Sequence, residues 1–152
     1  LDNRPLVDIE NKDLIPFKEL KNNLDGIMAA HILFSEVDKD IPTFSKIWIS
    51  EILKEEMEFK GMIFSDDLSM KGTMDYVSFY EKTKQAIVSG CEMILICNNR
   101  KGVLDGIRYF EENEIQPSEK VFSMLMASDV SWTNLEKDKR RIAISEKLKK
   151  LI

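Results

Sequence analysis

The sequence predicts an α/β fold on parallel strands, a fragment of a (β/α)8 barrel, and three observations carry that expectation. Gly26-Ile27-Met28-Ala29-Ala30, Gly61-Met62-Ile63-Phe64 and Glu92-Met93-Ile94-Leu95-Ile96-Cys97 are apolar at successive rather than alternate positions, as strands buried on both faces are. Ile27, Met62 and Met93 stand 35 and 31 residues apart, close to the roughly 30 residues of a strand-helix-strand unit. Eight such units need roughly 264 residues, so a chain of 152 residues has units of barrel size and about three-eighths of the strands. A flavodoxin-like sheet wants about five strands.

Each gap then needs a helix. Before the first strand, Asp13 is placed to cap a helix carrying Leu14, Phe17 and Leu20, with Pro16 tolerated in the first turn. Residues 1–5 show no helix start, and the chain as given begins mid-protein on this reading. Between the first two strands, Thr43 or Ser45 caps a helix whose Trp48, Ile49, Ile52, Leu53 and Met57 recur at three- and four-residue steps. Between the second and third, Tyr76, Tyr80, Thr83 and Ile87 form the stripe, and Ser89-Gly90 ends the helix. Val103, Ile107 and Phe110 mark the next helix, Val121, Phe122, Leu125 and Met126 another. A charged helical tail from Asn134 to Ile152 is anchored by Ile142, Leu148 and Leu151. The whole reads as one domain, 1–152.

Composition narrows the function classes. A net charge of −5 argues against an electrostatic grip on nucleic acid or a polybasic membrane contact. No apolar run approaches the roughly 20 residues of a membrane span, and no basic-then-apolar leader opens the chain, so a cytoplasmic location is the default expectation. Cys91 and Cys97 read as two reduced, buried thiols rather than a disulfide or half a zinc site.

In parallel α/β proteins the working residues lie past the carboxyl ends of the strands. The first strand runs into His31, the second into Ser65-Asp66-Asp67 and the third into Asn98-Asn99-Arg100. At least one of Asp66 and Asp67 is held on rigid backbone, fit to act as nucleophile or base, or else to cap the following turn. His31 reads as a hydrogen-bonded rim residue or a catalyst. Asn98, Asn99 and Arg100 read as a polar ligand cluster or as the turn before a helix at Lys101-Gly102. A receiver-like phosphoacceptor module would also place acids at strand ends, but it needs a third acid and a Lys on neighbouring strands, where this chain has His31 and Asn98.

The stretch Ile52-Leu53-Lys54-Glu55-Glu56, then Gly61-Met62-Ile63-Phe64-Ser65-Asp66-Asp67-Leu68-Ser69-Met70, resembles the active-site signature of glycoside hydrolase family 3, in its bacterial β-N-acetylhexosaminidase branch. Asp25 to His31, Pro42-Thr43-Phe44-Ser45 and Gly90 through Arg100 are similar to the same branch. The resemblance implies that the chain is the C-terminal part of a (β/α)8 catalytic barrel and that Asp66 is the nucleophile of a retaining hydrolase. His31, Asp67, Met70 and Asn98 would line the site, with Asp67 fixing Asp66 rather than reacting. It implies no metal or organic cofactor, and a substrate of the amino-sugar or muropeptide class from cell-wall recycling.

The branch also carries, upstream, a Lys-His-Phe-Pro-Gly-His-Gly motif and an Asp-Ser-His loop whose His is the general acid/base. Neither is present here, and Asp2-Asn3-Arg4-Pro5 is similar to the segment that follows that loop. His31 matches a different strand and does not take the missing role. An isolated chain is therefore expected to be inactive and to pair with an upstream half or with itself. A degenerate barrel piece serving binding or assembly is the remaining alternative.

Overall fold

The computed structural model describes residues 1–73, 78–125 and 131–150. The three apolar runs become three parallel strands, β1 (Gly26–Met28), β2 (Met62–Asp67) and β3 (Met93–Leu95), lying side by side in the order β1-β2-β3. Ile27 faces Ile63 and Met28 faces Phe64 across the first pair; Phe64 faces Met93 and Asp67 faces Leu95 across the second, with an irregularity between them. β2 runs three residues further than its apolar run suggests, so Asp66 and Asp67 belong to the strand itself. Polar bonding extends it, because the Ser65 hydroxyl accepts from the Leu95 N–H at 2.9 Å and the Leu68 N–H donates to the Leu95 carbonyl at 2.9 Å.

The period of two along a strand sorts the two faces of the sheet. Ile27, Ile63 and Ser65 point towards the helices, where Ile27 and Ile63 join a core with Trp48, Ile49, Ile52, Leu53 and Ala86. Met28, Phe64 and Asp66 share the opposite face. There Met28 is 53% exposed and Phe64 half-buried. In a barrel, of which these three strands would be a part, this face would turn inward.

The connections follow the expected order with local departures. α1 (Leu6–Glu10) begins directly after Pro5, a helix the sequence reading did not contain. α2 (Ile15–Leu20) has Leu14 at its N-cap position without a side-chain bond. Asp13 does not cap it, because its carboxylate accepts from Arg4 Nη1 at 2.8 Å, a charge-assisted bond stronger than a neutral cap. The turn Pro42–Phe44 leads to a helix wound with π spacing, Ile47–Glu56. Of the two candidate caps Ser45 serves, its Oγ accepting from the Trp48 N–H at 3.1 Å.

α3 (Phe79–Ser89) is capped by Ser78, whose hydroxyl accepts from the Glu81 N–H, and it closes on Gly90 at φ 115°. Its buried stripe is Lys82, Thr83, Ala86 and Ser89, rotated from the Tyr80, Thr83, Ile87 line the spacing suggested. Tyr76 lies outside the described residues.

α4 (Arg100–Glu112) is capped by Asn99, which accepts from the Gly102 N–H at 2.8 Å. α5 (Lys120–Ser123) is one turn long, and Phe122 and Leu125 near it are exposed; Met126 lies outside the described residues. The tail divides at Asp138 into α6 (Trp132–Lys137) and α7 (Lys139–Lys149), since the extended Asp138 caps α7 instead of continuing α6. Ile142 and Leu148 do not anchor this tail. Both are exposed, because α7 packs chiefly on α6; Leu151 lies outside the described residues.

Cys91 is buried, as expected, and burial pushes its thiol up to about 12. Cys97 is exposed, contrary to the expectation of two buried thiols, because β3 ends two residues earlier at Leu95. No helix among the described residues is long and apolar enough to cross a membrane.

Candidate active site

The carboxyl ends of the three strands bring His31, Asp66, Asp67 and Asn98 to one rim, as parallel strands in sequence order must. The two acids differ in their bonding. Asp67 Oδ1 accepts from the Ser69 and Cys97 N–H groups, each at 2.9 Å, and Oδ2 accepts from the Ser69 hydroxyl at 2.7 Å. Burial pushes the Asp67 carboxyl up, yet the bonds from Cys97 and Ser69 together outweigh it and hold the group below the ordinary carboxylate value. Both oxygens are occupied in tying β2 to the end of β3.

Asp66 is half-buried and uses one oxygen, Oδ1, to accept from the Asp67 N–H at 2.8 Å. Among the described residues its Oδ2 accepts no hydrogen bond. A carboxylate oriented through one oxygen and open at the other is suited to attack an electrophile or to stabilise a cation, whereas one bonded at both oxygens is suited to hold structure.

His31 follows β1 by three residues. Its ring stacks at 6.3 Å from that of Phe44, and both imidazole nitrogens are buried without a partner among the described residues. Burial holds its pKa below the usual 6.5, against the opposing pull of Asp66 and Asp67. On its other side lies Gly72, where a Cβ would sit 3.0 Å from His31 Cβ and 3.1 Å from its carbonyl oxygen. Only glycine lets the turn after Asp67 press so closely on the end of β1.

Met70 is exposed at the head of that turn, and Asn98 is exposed with φ 55°, a left-handed conformation that Asn tolerates better than most residues. Asn99 is taken up by capping α4.

Three contributors were not singled out by the sequence. Thr73 Oγ1 donates to the Leu68 carbonyl at 2.7 Å and the Met70 carbonyl at 2.9 Å, and Lys82 Nζ donates to the same Leu68 carbonyl at 2.9 Å. Ser69 supplies two of the three bonds to Asp67. The sequence carried no signal for Lys82, because the stripe read from spacing left it off the inward face that α3 buries. Among the described residues no group of three His, Cys, Asp or Glu is arranged to hold a metal ion, so the acid cluster of a phosphoacceptor module is not assembled there.

Comparison with known proteins shows the family. Residues 1–143 match the family model described as glycosyl hydrolase family 3 N terminal domain. A β-hexosaminidase of Actinobacillus pleuropneumoniae is 38% identical over 144 residues, and one of Haemophilus influenzae is 37% identical over 146. Each match spans 91% of this chain but only 41% and 42% of those proteins. The crystal structure of NagZ from Neisseria gonorrhoeae in complex with zinc ion superposes with a TM-score of 0.73 at 26% identity, covering 95% of this chain and 42% of that one. With the family model matched along 143 of its residues, the chain belongs to glycosyl hydrolase family 3, within its N-terminal domain.

Proposed function

We propose that this chain is the nucleophile-bearing part of a retaining β-N-acetylglucosaminidase, and that Asp66 is the nucleophile. The observation that carries the reading is the division of labour at the end of β2, where Asp67 is bonded through both oxygens and Asp66, among the described residues, keeps one oxygen unengaged. Asp66 attacks the anomeric carbon of a terminal β-linked N-acetylglucosamine, the aglycone leaves as its oxygen is protonated, and water then releases the sugar from the glycosyl-Asp ester. The transition state resembles an oxocarbenium ion, which an adjacent carboxylate stabilises. His31, Met70 and Asn98 line the site, and Asp67 positions Asp66. Muropeptide fragments of cell-wall recycling, met in the cytoplasm, are the proposed substrate class.

The general acid/base is proposed to come from outside these 152 residues, because the one histidine of the sequence has both ring nitrogens buried. Absence of such a group removes roughly 10²- to 10⁴-fold in rate. The chain alone is therefore expected to release no measurable chromogen from a β-N-acetylglucosaminide. Folded together with the preceding segment of a β-hexosaminidase relative, it should turn over, and a mechanism-based fluorosugar should label Asp66 in peptide mass spectra. Asp66→Ala should abolish labelling and lower turnover by several orders of magnitude, Asp67→Ala by less. A label on any other residue overturns the assignment.

A further inference from the structure

The ammonium of Lys82 sits where neither helix amphipathicity nor surface solvation accounts for it. Lys82 lies on the inner stripe of α3 and is 7% exposed. Among the described residues its Nζ donates to one neutral acceptor, the Leu68 carbonyl, and lies 4.7 Å from the centroid of the Phe79 ring. A charge so desolvated costs more than a methionine of similar length would at the same place, so packing alone does not explain a lysine here.

What surrounds the ammonium does. The Leu68 carbonyl is two residues past Asp66 and is gripped twice, by Lys82 Nζ and by Thr73 Oγ1. Among the described residues the titratable groups that act on it are Asp67 on β2 and His31 beyond β1. Asp67 favours the charged lysine, and Lys82 disfavours a charged His31. Cys97, beyond β3, meets Asp66 and Asp67.

We propose that Lys82 is a positioning residue for the Asp66 carboxylate: its buried ammonium pins the turn that follows Asp66 and supplies a positive counter-charge to Asp67, whose N–H orients Asp66 Oδ1. The inference rests on the reading of Asp66 as nucleophile only for its catalytic consequence; the anchoring and the counter-charge are properties of the chain itself.

A test without turnover keeps the two apart. The chain has a single histidine, so its imidazole proton resonances report one group. Lys82→Met should raise the His31 titration midpoint by about half a pH unit or more, through loss of a repelling cation, and should speed amide exchange at Leu68, Ser69 and Met70. Lys82→Arg, which keeps the charge, should restore the midpoint. The proposal is overturned if Lys82→Met leaves the midpoint in place, or if Lys82→Arg shifts it as far as Met does, since position 82 would then supply packing and not charge.

If Lys82→Met does not fold, side-chain carbon spectra of the lysines in Asp67→Asn decide instead. The Lys82 midpoint should fall when its counter-charge is removed, and an unchanged midpoint refutes the pairing. In the completed enzyme of the preceding section, Lys82→Met should lower kcat about 10- to 100-fold with KM little changed, and Lys82→Arg should recover most of it. A loss confined to KM refutes positioning, while failure of the fluorosugar to label Asp66 refutes the glycosidase reading and leaves the titrations standing.

Discussion

Asp66 and Asp67 are chemically identical and adjacent, and their partners alone separate them. Asp67 is held by two backbone N–H groups and one hydroxyl, while Asp66 accepts one bond among the described residues. The third titratable member of the rim, His31, has both ring nitrogens buried and, among the described residues, unpaired, and its folded-state pKa lies below 6.5 because burial disfavours the cation. The unfolded chain then binds the extra proton as pH falls, so this contribution to stability is fully present above about pH 6.5 and is lost below it. The melting temperature should drop between pH 7 and pH 5, and His31→Gln should flatten that slope while leaving the carboxylate-dependent loss at lower pH. A pH slope of the same size in His31→Gln would show that other groups produce it.

At the level of elements, the joint between α3 and β3 combines a left-handed backbone with close packing. Gly90 ends α3 in the left-handed region at φ 115°, and a Cβ there would meet Ile49 Cγ2 at 3.0 Å and Lys54 Nζ at 3.1 Å. The joint is further tied by Lys54 Nζ donating to the Gly90 carbonyl at 2.7 Å and Ser50 Oγ donating to the Ser89 carbonyl at 3.0 Å. Gly90→Ala thus adds backbone strain to a steric clash, an expected loss of about 1–3 kcal/mol. Urea unfolding should show the lowered midpoint without a changed slope. A loss below about 0.5 kcal/mol would mean that the joint relaxes freely.

For the whole molecule, three strands leave two sheet edges and an inner face to be covered. Met28 on the inner face is 53% exposed, and Phe122, Leu125 and Trp132 on the C-terminal side are each more than 60% exposed. An apolar groove of about 270 Å³ also opens between α2, β1 and the π-wound helix, lined by Phe17, Ile27, Ala29, Phe34, Trp48 and Ile52. Apolar surface of this kind drives association in water. The isolated chain is expected to sediment above its monomer mass at micromolar concentration and to return to a single smaller complex when the preceding barrel segment of a relative is added. A monodisperse, cooperatively melting monomer would refute this.

The sequence alone determined the parallel α/β class, the positions of the three strands and the rim that unites Asp66, Asp67, His31 and Asn98, because strand burial and unit length are written in local apolar pattern. It also determined the family likeness, through the run from Gly61 to Met70. Only the tertiary structure decided which partner each polar group takes. Asp13 went to Arg4 and not to a cap, Ser45 rather than Thr43 capped the π-wound helix, Cys97 fell beyond the sheet, and Lys82 turned inward beneath the acid turn. Periodicity records how often a face is apolar. Hydrogen bonds between residues 14 to 30 positions apart, as from Lys82 to Leu68 or Cys97 to Asp67, exist only once the strands and helices have docked.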